Sequence, residues 1–505
     1  MNLLTDPWIP VQQRGVFTRL TLEQLLCEPV SGVLCLPRDD MELACLQLLS
    51  ALTQVLFLPG DLNELKQRIR APLTAVEYQR GIVGKESWFD LNHPDTPFMQ
   101  VRGVKASEPT PMDKLLAGVA DGTNKAFINP QGLAEGLCAH CVALALFNTA
   151  SNCPNMGGGF KGGLRGSTPI STLIQSPDTD LRKTVWLNVV NRQQLVATMP
   201  WFDDTLAQRP NYVDPVKSGE KIAVSQIGLL RGLFWQPAHF ELLPPETDGC
   251  CSCCGEQAGL YTGFNKAKFN YTIDGVWPHP LSARTFTLKK GQKEEKFPSF
   301  TTTAPGWTHL SSFVVAKRDD SSGQEPAMVV SQAKALFQDK PLYLQVGGYR
   351  NNKATVLQRR HELFNLAQGW GQHAELLDHL VVTGVAYKKA LRSALYVFAK
   401  GLKTKKEEIK GAGVNLCDPM EARFYQQTET LLHDALATID FANPHATLEP
   451  LRLELKQVVQ QLFNQATESY CREPKMLKVL AVARRTLNKH LTDLQPAKQG
   501  VADAC

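Results

Sequence analysis

The sequence predicts an α+β protein: a large, irregular mixed N-terminal domain over residues 1–370 with a structural zinc site, followed by an all-α four-helix bundle over residues 371–505. Three observations carry this. After residue 370 the chain becomes a series of amphipathic stretches separated by Gly and Pro. Before it, short β-like runs mix with single helices, with no internal repeat and no βαβ alternation. Two sets of cysteines at CxxC spacing lie in the mixed portion.

The elements follow in chain order. After a short extended opening, Asp39 or Asp40 can cap a helix in which Leu43, Leu46, Leu49 and Leu52 recur near helical period. Leu133–Asn148 reads as a further helix. Val185–Val190, Phe313–Ala316 and Leu342–Val346 read as strands. Helices are expected at 372–400, 418–440, 447–467 and 474–494. Phe424, Thr428, Leu431, Ala435 and Ile439 line the second; Leu451, Leu455, Val458 and Leu462 line the third; Met476, Leu480, Ala483, Leu487, Leu491 and Leu494 line the fourth. Gly411-Ala412-Gly413, Asn443-Pro444 and Glu473-Pro474 separate them.

At roughly 150 residues per domain, 505 residues allow about two to four domains. With 43% apolar and 20% charged residues, a disordered or fibrous chain is excluded. The formal charge of +5, from 54 Lys+Arg against 49 Asp+Glu, permits a polyanionic partner without requiring one. No apolar run approaches the ~18 residues of a membrane span. Asp6, Pro7 and Pro10 interrupt the N-terminus where a signal peptide needs an apolar stretch, so a cytoplasmic protein with no membrane partner is expected.

In a reducing compartment, clustered cysteines point to metal rather than disulfides. Cys138 and Cys141 form one CxxC, and Cys250-Cys251-Ser252-Cys253-Cys254 offers two overlapping ones. Two CxxC pairs complete a closed Cys₄ zinc site, and we take Cys138, Cys141, Cys251 and Cys254 as the ligands, with Cys250 and Cys253 as the other available pair. Packing alone explains Cys138 and Cys141 equally well, as buried thiols on a helix; the second cluster, in a Gly-bounded loop, it does not.

Asn155-Met-Gly157-Gly158-Gly159-Phe160-Lys161-Gly162-Gly163-Leu164-Arg165-Gly166 formally contains GxGxxG, but no strand precedes it and no helix follows, so a dinucleotide fold is excluded. Bare backbone beside Lys161 and Arg165 suits close approach to a polyanion; the alternative is a plain surface loop. Gly347-Gly348-Tyr349-Arg350-Asn351-Asn352-Lys353 and Lys289-Lys290-Gly291 read as hairpin tips. Tyr261, Phe264, Lys266, Lys268 and Phe269 interleave rings with lysines, a pattern that permits base stacking and phosphate contact, although each piece alone also fits an ordinary solvated turn. No Walker A, HExxH, GxSxG or deaminase motif is present, and the adjacent acidic pairs lack a histidine neighbour for a two-metal site.

Together, MNLLTDPWIPV, LPRDDMELA, TPMDKLLAG, GGGFKGGLRG, IGLLRGLFWQPAH, YTGF, GVWPHP and GGYRNN, in this order, resemble the CasA family, large subunits of the type I-E CRISPR surveillance complex Cascade. The resemblance covers nearly the whole chain. It implies a non-catalytic, zinc-bearing subunit that reads a short protospacer-adjacent motif in double-stranded target DNA, starts strand separation and recruits a helicase-nuclease. Its other implied partners are the remaining Cascade subunits and the CRISPR guide RNA. Carried over residue by residue, it implies a minor-groove glycine loop at Gly157, Gly158 and Gly159, and a groove lysine at Lys268, with Lys266 as second candidate. It further implies a duplex wedge at Asn352 and Lys353, a non-specific DNA-holding pair at Lys289 and Lys290, and a guide-RNA-proximal loop at Phe127, Ile128 and Asn129. Lys353 departs from the family, whose wedge commonly presents Gln there. Two other readings predict different behaviour: a metal-dependent nuclease would lose turnover on chelation, and a purely structural zinc scaffold would assemble without motif preference.

Overall fold

The computed structural model describes residues 1–29, 32–119, 134–289, 292–403 and 408–495, and these form two compact units. The larger comprises Met1–Thr302, Ser312–Phe337 and Tyr343–Leu363; the smaller comprises Thr303–Ser311, Gln338–Leu342 and the chain from Phe364 onward. The α+β reading holds, with short sheets among helices in the first unit and long helices in the second. Among the described residues, no helix is long and apolar enough to cross a membrane.

Local chemistry sets the short helices of the first unit. Thr21 with Gln24 and Thr74 with Glu77 close capping boxes on Leu22–Cys27 and Ala75–Ile82; Asp61 caps Leu62–Arg70. Helix Asp39–Leu56 is buried nearly all round. The sequence suggests Asp39 or Asp40 as its cap, but neither caps it. Arg38 holds the cap position, and Asp39, Asp40 and Glu42 lie in the first turn, where negative charge favours the helix dipole. The helix expected over Leu133–Asn148 runs Ala139–Ser151, with Cys138 as its cap, and residue 133 lies outside the described residues.

Two expected strands begin as helix instead: Val185–Leu187 and Phe313–Val314 are helical, and residues 188–190 and 315–316 lie outside helix and strand. Val185 and its neighbours belong to Leu181–Leu187, where Asp180 accepts from the Lys183 amide and starts the turn. Phe313 belongs to Leu310–Val314. Both are short, mostly apolar runs, buried over 185–190 and 313–315, and such runs fit a buried helix as well as a buried strand.

Leu342–Asn352 is a strand, as its start suggested, and it pairs antiparallel with Ser171–Gln175, Leu344 opposite Ile174 and Gly347 opposite Ser171. Thr355–Leu366 flanks its other side, so Lys353 and Ala354 alone form the connection. Gly347 and Gly348 are therefore buried strand residues rather than a tip. A Cβ on Gly347 would lie 2.5 Å from the Leu43 side chain, and one on Gly348 2.9 Å from the Pro169 carbonyl.

In the second unit, helices Ala374–Lys400, Cys417–Thr438, His445–Thr467 and Leu477–Asp493 form the bundle, the first packing on the other three. Leu432 and Val459 are buried where Leu431 and Val458 were expected, because a 3.6-residue turn drifts past any fixed spacing of three or four. Lys388 and Arg392 pair with Glu421, and Arg392 also with Asp418. Leu391, 1% exposed on the central helix, should set the stability of this unit. Leu391→Ala is expected to cost about 2–5 kcal/mol in its denaturant unfolding, and a cost under about 1 kcal/mol would contradict this packing.

Candidate metal centre and nucleic-acid surface

The two CxxC segments come from very different local structures. Cys138 caps helix Ala139–Ser151, and Cys141 lies one turn in, so both sulfurs sit at the positive end of the helix. The other pair sits on a hairpin. Thr247–Cys250 pairs with Gln257–Leu260 up to Cys250 opposite Gln257, leaving residues 251–256 as a tight knuckle. Gly255 turns it at φ +76°, and the Gly255 amide donates to the Cys251 carbonyl at 2.8 Å.

Backbone bonds lock the knuckle to the helix start. Leu137 and Tyr261 exchange two bonds at 3.0 and 2.9 Å, and the Ser252 amide donates to the Gly136 carbonyl at 2.9 Å. The Cys138 amide donates to Cys251 Sγ at 3.3 Å. As a result the sulfurs of Cys138, Cys141, Cys251 and Cys254 all lie within 4.8 Å of one another. The Cys138–Cys254 separation is 3.7 Å. A metal–sulfur bond of about 2.3 Å gives a tetrahedral edge of about 3.8 Å, so this donor set fits a closed four-thiolate metal site. The structure also separates the overlapping pairs. Cys250 is exposed and points to the Gly255 carbonyl, and buried Cys253 lines a cavity of about 390 Å³ with Arg38, Gly118 and Arg359.

The four thiols are unequal. Hydrogen bonds from Cys138 and Cys141 drive Cys251 strongly toward thiolate and hold Cys254 at about 6. Cys141 is pushed up by its bond with Cys138 and those with the hairpin sulfurs. Around them lie three residues that sequence reading missed. Arg19 approaches Cys254 Sγ at 3.7 Å and pairs with Glu256, which lies 3.5 Å from His140 Nδ1. His140 and Glu256 had a signal, being inside or next to the CxxC motifs. Arg19, remote in sequence, had none. Its cation would offset the excess negative charge of four thiolates around a divalent ion.

A second constellation gathers the predicted DNA-facing residues. Gly157, Gly158 and Gly159 all have positive φ, at +75°, +56° and +87°, a run that side chains with a Cβ strongly disfavour. The Phe160 amide closes the turn onto the Gly157 carbonyl at 3.0 Å. A Cβ at Gly158 would meet nothing within 4 Å, so this backbone faces open space. Lys268, just past strand Gly263–Ala267, donates from Nζ to the Gly158 carbonyl at 3.3 Å. A Cβ on Gly157 would lie 3.6 Å from Ala354 Cβ, so the tip of the long hairpin borders the same loop. Asn351 fixes that tip. It accepts from Thr168 Oγ1 at 2.7 Å and donates to the Lys353 carbonyl at 2.6 Å, leaving Asn352 and Lys353 exposed.

Other expectations are corrected. Arg165 does not flank the loop as a free cation; it is buried beneath it, donating to Ser171, Ser282, Ser151 and Asn152. The interleaved rings are no stacking platform: Tyr261 and Phe264 are buried, and Phe269 already stacks on His239 at 4.4 Å. Lys266 sits 5.6 Å from the Phe160 ring centroid, bracing the loop from the side. Lys289 ends strand Arg284–Lys289, its backbone paired with Gln292. Lys290, Phe127, Ile128 and Asn129 lie outside the described residues.

Comparison with known proteins gives a consistent picture. The family profile described as CRISPR-associated protein Cse1 matches residues 2–466. Thermobifida fusca Cse1 superposes with a TM-score of 0.74 at 17% identity, covering 97% of this chain and 98% of that one. Thermus thermophilus CasA (Cse1) gives 0.70 at 17% identity, covering 98% and 99%. A chain of a structure described as a CRISPR RNA-guided surveillance complex gives 0.67 at 14% identity, covering 97% and 99%. At these identities the likeness is one of fold.

Proposed function

The chain belongs to the CRISPR-associated Cse1 family, and on that premise we propose that it is the large, non-catalytic subunit of an RNA-guided DNA surveillance complex, reading a short motif in duplex DNA and opening the strands beside it. The observation that carries this reading is the convergence of the glycine loop, Lys268 and the hairpin tip, three segments remote in sequence, on one exposed surface.

Each part has a role that its chemistry suits. Bare backbone at Gly157–Gly159 enters a minor groove about 6 Å wide, where a Cβ would obstruct it. Lys268 reaches acceptors on the groove floor. Because A·T and T·A look alike there, such a reader accepts several related motifs. Asn352 and Lys353, at the tip of a stiff two-stranded hairpin, press into the duplex next to the motif and lower the cost of unstacking. Lys353 brings a charge and an aliphatic stem but no acceptor, so it fills space and seeks phosphate or base oxygens rather than pairing as an amide would. Lys289 and Lys290 hold the flanking duplex, and the Phe127–Asn129 loop meets the 5′ end of the guide. Guide–target pairing then supplies sequence specificity. Cutting falls to the recruited helicase-nuclease.

Zinc on Cys138, Cys141, Cys251 and Cys254 would act as a cross-link, tying the knuckle to the helix that runs toward the glycine loop. Its place is structural, since four protein thiolates leave no open position for substrate.

Lys268→Ala tests the reading. Within the assembled complex it is expected to weaken motif-bearing duplexes about tenfold or more while assembly is unaffected, read by electrophoretic or interferometric binding. Unchanged affinity for motif-bearing duplex would count against the role.

A further inference from the structure

Beneath the proposed DNA surface lie a buried cation and a buried anion that never touch. Arg165 is 5% exposed, and its four acceptors are Ser171 Oγ at 2.8 Å, Ser282 Oγ at 2.9 Å, the Ser151 carbonyl at 3.0 Å and Asn152 Oδ1 at 2.7 Å, none of them a carboxylate. Burial pulls its guanidinium down to about 9. Asp40, 7% exposed, lies in the first turn of Asp39–Leu56, where Arg38 holds it through both oxygens.

A line of hydrogen bonds joins the two. Arg165 donates to Asn152 Oδ1, and Asn152 Nδ2 donates to Asn148 Oδ1 at 2.9 Å. Asn148 Nδ2 donates to the Tyr349 hydroxyl at 2.7 Å, which donates to Asp40 Oδ2 at 2.9 Å. Every donor points the same way, from cation to anion, so each bond polarises the next. Reversing or deleting one member leaves a buried donor or acceptor unmet on either side.

The chain also crosses the elements that recognition needs. Arg165 lies in the Gly163–Gly166 turn that follows the glycine loop. Asn148 and Asn152 are on the last turn and cap of the helix that begins at Cys138. Tyr349 is on the strand that ends in Asn352. We infer that Tyr349 is a positioning residue: the buried chain it bridges sets the hairpin tip against the glycine loop, so motif discrimination depends on a hydroxyl that never meets DNA. This inference rests on the motif-reading role proposed above.

The test uses the guide-loaded complex carrying the full chain. It measures affinity for matched duplexes with and without a motif, first for the wild type, then for Tyr349→Phe and Asn152→Ala. Tyr349→Phe keeps the ring and removes only the hydroxyl. It is expected to lower the ratio of motif-bearing to motif-lacking affinity roughly tenfold, with assembly and motif-lacking affinity unchanged. Asn152→Ala cuts the chain at another link, off the hairpin, and is expected to do the same; the double variant should lose little more than one single, because the two share one chain. Amide hydrogen exchange across residues 155–166 should rise in Tyr349→Phe. A wild-type ratio in either variant overturns the inference, as does a parallel fall of both affinities, which a merely structural bond would produce. Absence of motif preference in the wild type overturns the motif-reading role instead, and is seen before any variant is made.

Discussion

Cys254→Ser is expected to release the metal and lower the stability of the first unit by upwards of roughly 3 kcal/mol, the range in which loss of a structural metal falls. Apart from the Arg19–Glu256 pair, the knuckle has few other anchors. Residues 251–256 are a hairpin end joined to the Cys138 helix by a few backbone bonds and the sulfur cluster. Without a cation, four thiols this close cannot all be thiolates, so the cluster becomes a set of buried, competing donors. Cys250→Ser is the matched control. Cys250 is exposed and outside the cluster, so its loss should stay within about 0.5 kcal/mol. Metal content by atomic emission and melting by calorimetry check both. Equal effects of the two substitutions would contradict the assignment of ligands, and chelation should reproduce Cys254→Ser in the wild type.

Gly158→Val is expected to have the larger functional effect, a loss of about a hundredfold or more in affinity for motif-bearing duplex. Two costs add. Gly158 has φ +56°, where a β-branched residue is strained, and its exposed position is the one proposed to enter the groove. Within the free chain the new side chain meets open space, so folding and assembly should suffer only the backbone strain, on the order of 1–2 kcal/mol. The contrast between intact assembly and lost binding is the signature. A scaffold role would instead leave binding to motif-bearing and motif-lacking duplexes in the same proportion as in the wild type.

Some of this was legible in the sequence because it is local. Amphipathic period gave the four bundle helices, and CxxC spacing gave the cysteines that gather into a candidate metal site, since both signals live within a few residues. The choice of Cys251 and Cys254 over Cys250 and Cys253 depends on where hairpin pairing stops, which spacing does not encode. Val185 and Phe313 were misread because a short apolar run has the same pattern in a buried helix and a buried strand; Asp180 held the discriminating signal as a helix cap. Arg165 looked like a surface cation from its glycine neighbours. Its burial follows from Ser171, Ser282 and Asn152 meeting it in three dimensions. The convergence of Lys268 with Gly158 and the hairpin tip likewise spans segments with no local signal linking them.

Whether this chain reads the motif is decided by duplex binding of the guide-loaded complex, with and without this subunit, across a library randomised at the motif positions. Preference is expected to vanish when the chain is withheld, to return when it is added back, and to tolerate several related motifs, as a minor-groove reader must. Preference that persists without the chain would place the reader elsewhere in the complex.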